Sequence, residues 1–494
     1  MNSANPLASV HASAKGATRA LAKHVAALEY DDLPPELVRL TKLCILDTLG
    51  VMIGATGLSP EARVIADYTS RQGGHPDCTV LGFGFKTTAL MAGMANGSFG
   101  HMLDFDDVCV IASHISIATV PVALAMAEKS GNISGRELIT AVVAGADVMS
   151  RLEMSIPIPD WRISEGWFAT QLLGFFAGAA TAGRVLRLDE DRMEDALGIA
   201  FNQLSGSYQM ALGASTHMRS MQAGFSGHGG ILAAELAQAG ISGSKEVLEG
   251  KYGLFATYVR TKAPNWNALL DRLGDYFPVL DHHHFKQWPA CDHTRPVNMA
   301  IEKLMEESPF SAGDVREVTV VGGSGGTQLL CDPLESKRRP QTSIDAKFSI
   351  PFTAAAMLRR GTVTLADYTD TGRADPETLA MADRVGYRPD PARSAREWNP
   401  TVEIVLKDGR TLSRMATDAE LSAPSSEQFL TRKFMDCVSF SATPVPVKDA
   451  EESARLISHL EDIKDIRPII DKLSPARTRL PAAVPIQFDH SETF

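Results

Sequence analysis

At 494 residues, with 44% hydrophobic and 22% charged side chains, the chain has the composition of a globular protein large enough for two or more domains. A net charge of −11 without any basic block argues against nucleic acid or an anionic membrane as a partner. The six cysteines are scattered with no CxxC pair, no apolar run approaches the roughly 20 residues of a membrane span, and Met1 to Gly16 lacks a signal-peptide pattern. The expectation is a cytoplasmic protein with free thiols.

The first half reads as helical. Pro34-Pro35-Glu36 opens a segment in which Leu37, Leu40, Cys44, Ile45, Leu49 and Met52 recur at helical spacing, with Gly54 and Gly57 expected to close it. Ser134-Gly135-Arg136-Glu137 is a capping box ahead of Leu138 to Val143. Gly174 to Gly183 and Ala223 to Gly240 are crowded with small residues, which suits closely packed central helices. Asp189 to Gln203 reads as a further amphipathic helix.

The texture changes after about Asp275. Val315 to Val321 reads as a strand, Ser349 to Leu358 as a helix, and Thr401 to Leu412 as a hairpin around Asp408-Gly409. Glu451 to Leu473 returns to a helical pattern that Pro475 stops. The expected fold is mainly α, with a large all-helical domain over 1–275 and 435–475. A smaller α+β lid domain spans 276–434, and 476–494 is an extended tail.

The densest chemistry lies in Gly100-His101-Met102-Leu103-Asp104-Phe105-Asp106-Asp107, followed by Ser113-His114. Three carboxylates near a histidine suit proton transfer beside a carboxylate, where an acidic neighbour holds an acid/base imidazole. On this segment alone, aspartates capping a helix end explain the pattern equally well. His282-His283-His284, with His293 nearby, invites a metal. Three consecutive histidines do not easily face one ion, and no HExxH occurs, so no metal is expected. Gly322 to Thr327 lacks a Walker lysine and a third spaced glycine. It reads as a loop at a pocket mouth rather than a phosphate cradle.

Four segments together resemble the MmgE/PrpD family, which includes 2-methylcitrate dehydratases, cis-aconitate decarboxylases and iminodisuccinate epimerases. They are Leu103 to Asp107 with His114, Arg219 to Gly230 with Leu248-Glu249-Gly250, Phe285 to His293, and Ala346 to Phe352. The resemblance covers roughly Leu21 to Leu473. It implies a helical domain plus a lid, a pocket between them, a homodimer, a small polycarboxylate substrate and no cofactor. Asp104, His114 and Lys286 would line the pocket as the catalytic set, with His114 the principal acid/base and Asp104 its partner. Arg219, Phe168, Val108, Phe352 and His284 would contact substrate.

Four of these positions depart from the family pattern. Phe168 stands where the decarboxylases carry a histidine, Arg219 where a lysine is usual, Phe352 for a tyrosine and Val108 for a threonine. The leading expectation is a lyase that dehydrates or decarboxylates a di- or tricarboxylate, with Lys286 and Arg219 gripping carboxylates. The rivals are an isomerase or epimerase and a non-catalytic carboxylate-binding relative.

Overall fold

The computed structural model describes residues 15–475 apart from 112–113, 159–160, 212–216 and 395–398. The tail expected over 476–494, and Ser113, lie outside the described residues. The chain divides into two units. The first comprises the described residues of Met1–Met102, Asp106–His283 and Ser426–Phe494, and the second comprises Leu103–Phe105 and His284–Ser425. No helix among the described residues is long and apolar enough to cross a membrane.

The first unit is built on helices α1 (Pro35–Leu58), α2 (Ala89–Met102), α3 (Ser116–Ser130), α4 (Gly135–Met154), α5 (Ala169–Val185), α6 (Glu190–Phe201) and α7 (Met218–Gln238). The capping box opens α4 as its sequence requires: Glu137 N donates to Ser134 Oγ at 3.3 Å, and Ser134 N donates to Glu137 Oε2 at 2.9 Å. Small residues set the spacing of the central helices. A Cβ added at Gly230 of α7 would come within 2.6 Å of Gly178 Cα on α5. Side chains at these crossings would force the helices apart.

Gly54 does not close α1, which runs through it and ends at Leu58, one residue past Gly57. Both glycines are contact points. A Cβ at Gly57 would sit 1.8 Å from Phe440 O, and one at Gly54 would sit 2.8 Å from Cys437 O. Their absent side chains admit the last turn of the helix Glu427–Ser439 and the residues just after it. The pattern over Glu451 to Leu473 is likewise two helices, Val447–Ser458 and Arg467–Leu473. Pro468 starts the second, because proline suits a first turn and not a helix interior.

The second unit packs α8 (Arg295–Glu307) and α9 (Ile350–Arg360) on a sheet of β1 (Val315–Gly322), β2 (Val385–Pro389), β3 (Thr401–Leu406) and β4 (Thr411–Arg414). The order is β2-β1-β3-β4, with β1 parallel to β2 and antiparallel to β3. Val402, Ile404 and Leu406 are the buried positions of β3, and Gly409 turns the β3–β4 hairpin at a φ of 93°. Phe352, on α9, is wholly buried in this unit's core. Gly322 to Thr327 forms the connection from β1 into the helix Gly326–Cys331, with Tyr387 Oη donating to the carbonyl of Gly323 at 2.7 Å.

Candidate active site

In the first unit the chain leaves α2 at Met102 and enters α3 at Ser116. The intervening turns bury Asp106, Asp107 and His114, with His101 buried at the end of α2. Asp106 lies between two imidazoles. Its Oδ1 is 3.0 Å from His101 Nδ1, and its Oδ2 is 2.6 Å from His114 Nδ1. The second contact is too bent to count as a hydrogen bond, so it acts through charge and proximity. The two rings meet edge to face with centroids 4.3 Å apart. Burial pushes the Asp106 carboxyl up, but His114 and His101 together outweigh it and hold the acid well below the usual carboxylate range. An anion fixed at Nδ1 leaves Nε2 as the nitrogen of His114 that can move a proton.

A second network lies beside it in sequence. Asp107 Oδ2 accepts from Ser116 Oγ at 2.6 Å and lies 2.6 Å from His283 Nε2. Cys44 Sγ is 3.5 Å from the same nitrogen. Burial, with Asp107 adding to it, pushes the Cys44 thiol well up, so it is a neutral thiol rather than a nucleophile. Among the described residues, Cys44-Asp107-His283 and His101-Asp106-His114 are the groups that could bring three metal-ligating atoms within 4.8 Å. In both, a ring nitrogen sits directly on the carboxylate, the arrangement of a hydrogen-bonded or ion-paired network.

Phe168 and Arg219 come together in this unit. Phe168 is the N-cap of α5, tied by its N–H to the carbonyl of Gly206 at 2.8 Å. The Arg219 guanidinium, in the first turn of α7, stands 5.9 Å from the Phe168 ring centroid, at the outer limit of a cation–π contact. Val108 is half-buried on the short strand Val108–Cys109.

In the second unit Lys286 is buried and bonds Asp104 twice, through Oδ1 at 2.5 Å and the backbone carbonyl at 2.9 Å. Asp104 presents both acceptors from a left-handed backbone with φ 50°, which aspartate tolerates better than most residues. The partner expected for His114 was Asp104, and this needs correcting. Asp106 stands at the His114 ring, while the Asp104 carboxylate is engaged by Lys286. His284 Nε2 lies 3.0 Å from Asp292 Oδ1. Burial raises the Asp292 carboxyl, yet His284, Arg295 and Lys286 hold it well below its ordinary value. Successive residues of an extended strand face opposite ways, so His283 reaches Asp107 while His284 reaches Asp292. The histidine run therefore does not converge on one point.

Sequence reasoning passed over His101, Asp106 and Asp292 as site residues. For Asp106 the signal was present, since a loop must bring an aspartate to His114, but spacing alone does not select among three neighbouring aspartates.

The match to known proteins covers the same ground. The MmgE/PrpD N-terminal domain matches residues 19–267 and the MmgE/PrpD C-terminal domain matches residues 288–461. The chain is 26% identical over 486 residues to the cis-aconitate decarboxylase of Aspergillus terreus, covering 93% of this chain and 96% of that protein. Against the human cis-aconitate decarboxylase it is 27% identical over 467 residues, covering 91% of this chain and 93% of its relative. It is 29% identical over 368 residues to the cis-aconitate decarboxylase-like protein oryM of Aspergillus oryzae, covering 70% and 74%. With both family domains matched in order along its length, the chain belongs to the MmgE/PrpD family.

Proposed function

We propose that this protein is a cofactor-independent lyase that removes water or carbon dioxide from a small di- or tricarboxylate by proton transfer at the carbon beside a carboxylate. The observation that carries the reading is the buried His101-Asp106-His114 cluster, in which one carboxylate holds two imidazoles. Nε2 of His114 takes the proton from carbon, and the electron pair moves toward the adjacent carboxylate. Lys286 and Arg219 are the cations proposed to stabilise that charge. In a dehydration that electron pair then forms the carbon–carbon double bond as the C–O bond breaks, and the hydroxyl takes a proton from the imidazolium to leave as water. A decarboxylation starts instead from the protonated imidazole: carbon dioxide leaves, the electron pair it leaves behind takes the proton from Nε2 of His114, and solvent reprotonates the ring. The cis-aconitate decarboxylases among the relatives support the lyase class and a carboxylate substrate.

An epimerase is the second reading. Phe168 and Phe352 carry no exchangeable proton, which disfavours a leaving hydroxyl relative to simple return of the proton to the opposite face. Incubation with citrate, methylcitrate, the aconitates, malate and iminosuccinates, followed by NMR and mass, tests both. Loss of water or carbon dioxide supports the lyase, and inversion without mass loss supports the epimerase. Tight binding without either points to a non-catalytic relative.

A further inference from the structure

Tyr368 closes the turn Leu365–Tyr368 of the second unit, which a capping box between Thr364 and Asp367 opens. Only 5% of the residue is exposed, yet its phenol oxygen has no hydrogen-bond partner among the described residues. Native proteins seldom leave a buried hydroxyl unbonded. The ring itself is well held. The Phe352 ring centroid lies 6.2 Å away, and the Lys347 ammonium stands 5.7 Å from the Tyr368 centroid. Lys347 ends the short helix Ser343–Lys347, and its carbonyl accepts from Cys291 N at 3.0 Å, five residues beyond Lys286. The Lys286 segment is thereby tied to the element that carries the cation facing the Tyr368 ring.

We propose that the Tyr368 hydroxyl is a substrate-contacting group that donates a hydrogen bond to a carboxylate oxygen of the polycarboxylate. This rests on the function proposed above and adds a residue to it. A hydrogen bond to an ionised carboxylate is roughly twice as strong as one between neutral groups, so a phenol O–H suits this acceptor. Burial, and secondarily the charge of Asp104, hold the phenol well above its ordinary pKa, so it stays protonated across the working pH range.

Tyr368→Phe keeps the ring and removes only the hydroxyl. The ligand-free variant should melt at or above the wild-type temperature, because it loses a polar atom that has no partner in the protein. Its kcat/KM should fall about 10- to 100-fold, the range for one hydrogen bond to a charged group. Propane-1,2,3-tricarboxylate, an inert probe of the same chemistry, should raise its melting temperature less than that of wild type. A variant that unfolds, or melts well below wild type with unchanged kcat/KM, assigns the hydroxyl a structural role and overturns the proposal. An active wild type matched by Y368F in both kcat/KM and probe shift overturns it as well, while leaving the lyase reading intact. A wild type that neither turns over the panel nor responds to the probe removes the lyase reading and the Tyr368 role together.

Discussion

Asp106 holds Oδ2 2.6 Å from Nδ1 of His114, and its other oxygen lies 3.0 Å from His101. One buried carboxylate thus fixes the orientation of two rings and supplies the charge that an imidazolium needs. Asp106→Asn should therefore lower kcat by roughly 10²- to 10⁴-fold with a smaller change in KM, because the neutral amide does not support the charge of an imidazolium. Steady-state kinetics on the first active substrate, beside a melting curve, measure both. Wild-type kcat in D106N would remove the carboxylate from the mechanism.

The depressed pKa of Asp106 has a signed consequence for stability. Its folded pKa lies below the unfolded value of about 3.9, so its contribution is fully present above that value. It is lost as pH falls through the folded pKa. Asp292 behaves the same way through His284. Asp47 has the opposite sign: burial pushes it up to about 6 despite Lys433 at 2.7 Å, so it loses stability as pH rises from about 4 to 6. Urea midpoints of wild type and D106N, taken from about pH 5 to pH 3, should draw together as pH falls below about 4. A difference that grows with acid would contradict the assignment.

Lys286 and Asp104 form a buried pair, and breaking such a pair costs more than removing it whole. Lys286→Met alone should destabilise the fold by about 3–5 kcal/mol, because it takes the ammonium away from the buried Asp104 carboxylate. Adding Asp104→Asn should recover most of that loss. Both proteins should be inactive. Chemical unfolding and the substrate panel together separate the stabilising role of the pair from the role of Lys286 toward substrate.

The Arg219 guanidinium stands over the Phe168 ring, at the position that the sequence reading matched to a histidine of the decarboxylases. A phenyl group cannot donate a proton, so itaconate formation from cis-aconitate should be slow compared with turnover of the best panel substrate. Itaconate measured by NMR checks this. Rapid formation would show that the chemistry needs no histidine at this position.

Much of the fold was legible because local chemistry determined it. Ser134 and Glu137 cap α4, Asp408-Gly409 turns the hairpin, and the buried strand positions alternate as written. Gly54 misled because a glycine ends a helix and admits a close neighbour with the same signature, and only the chain at Cys437 distinguishes the two. The site was legible by residue type and only partly by partner. Asp104 and Asp106 are two residues apart, and the left-handed turn at Asp104 that assigns one to Lys286 and the other to His114 leaves no mark in composition or spacing.

Proton transfer at carbon by His114 is tested most directly by following solvent hydrogen. In heavy water, the wild-type enzyme with its best panel substrate should place deuterium at the carbon beside a carboxylate, in product or in recovered substrate. His114→Gln should remain folded and lose that incorporation by at least about 10²-fold. Incorporation by H114Q at the wild-type rate, or wild-type turnover with no solvent hydrogen at that carbon, would contradict it.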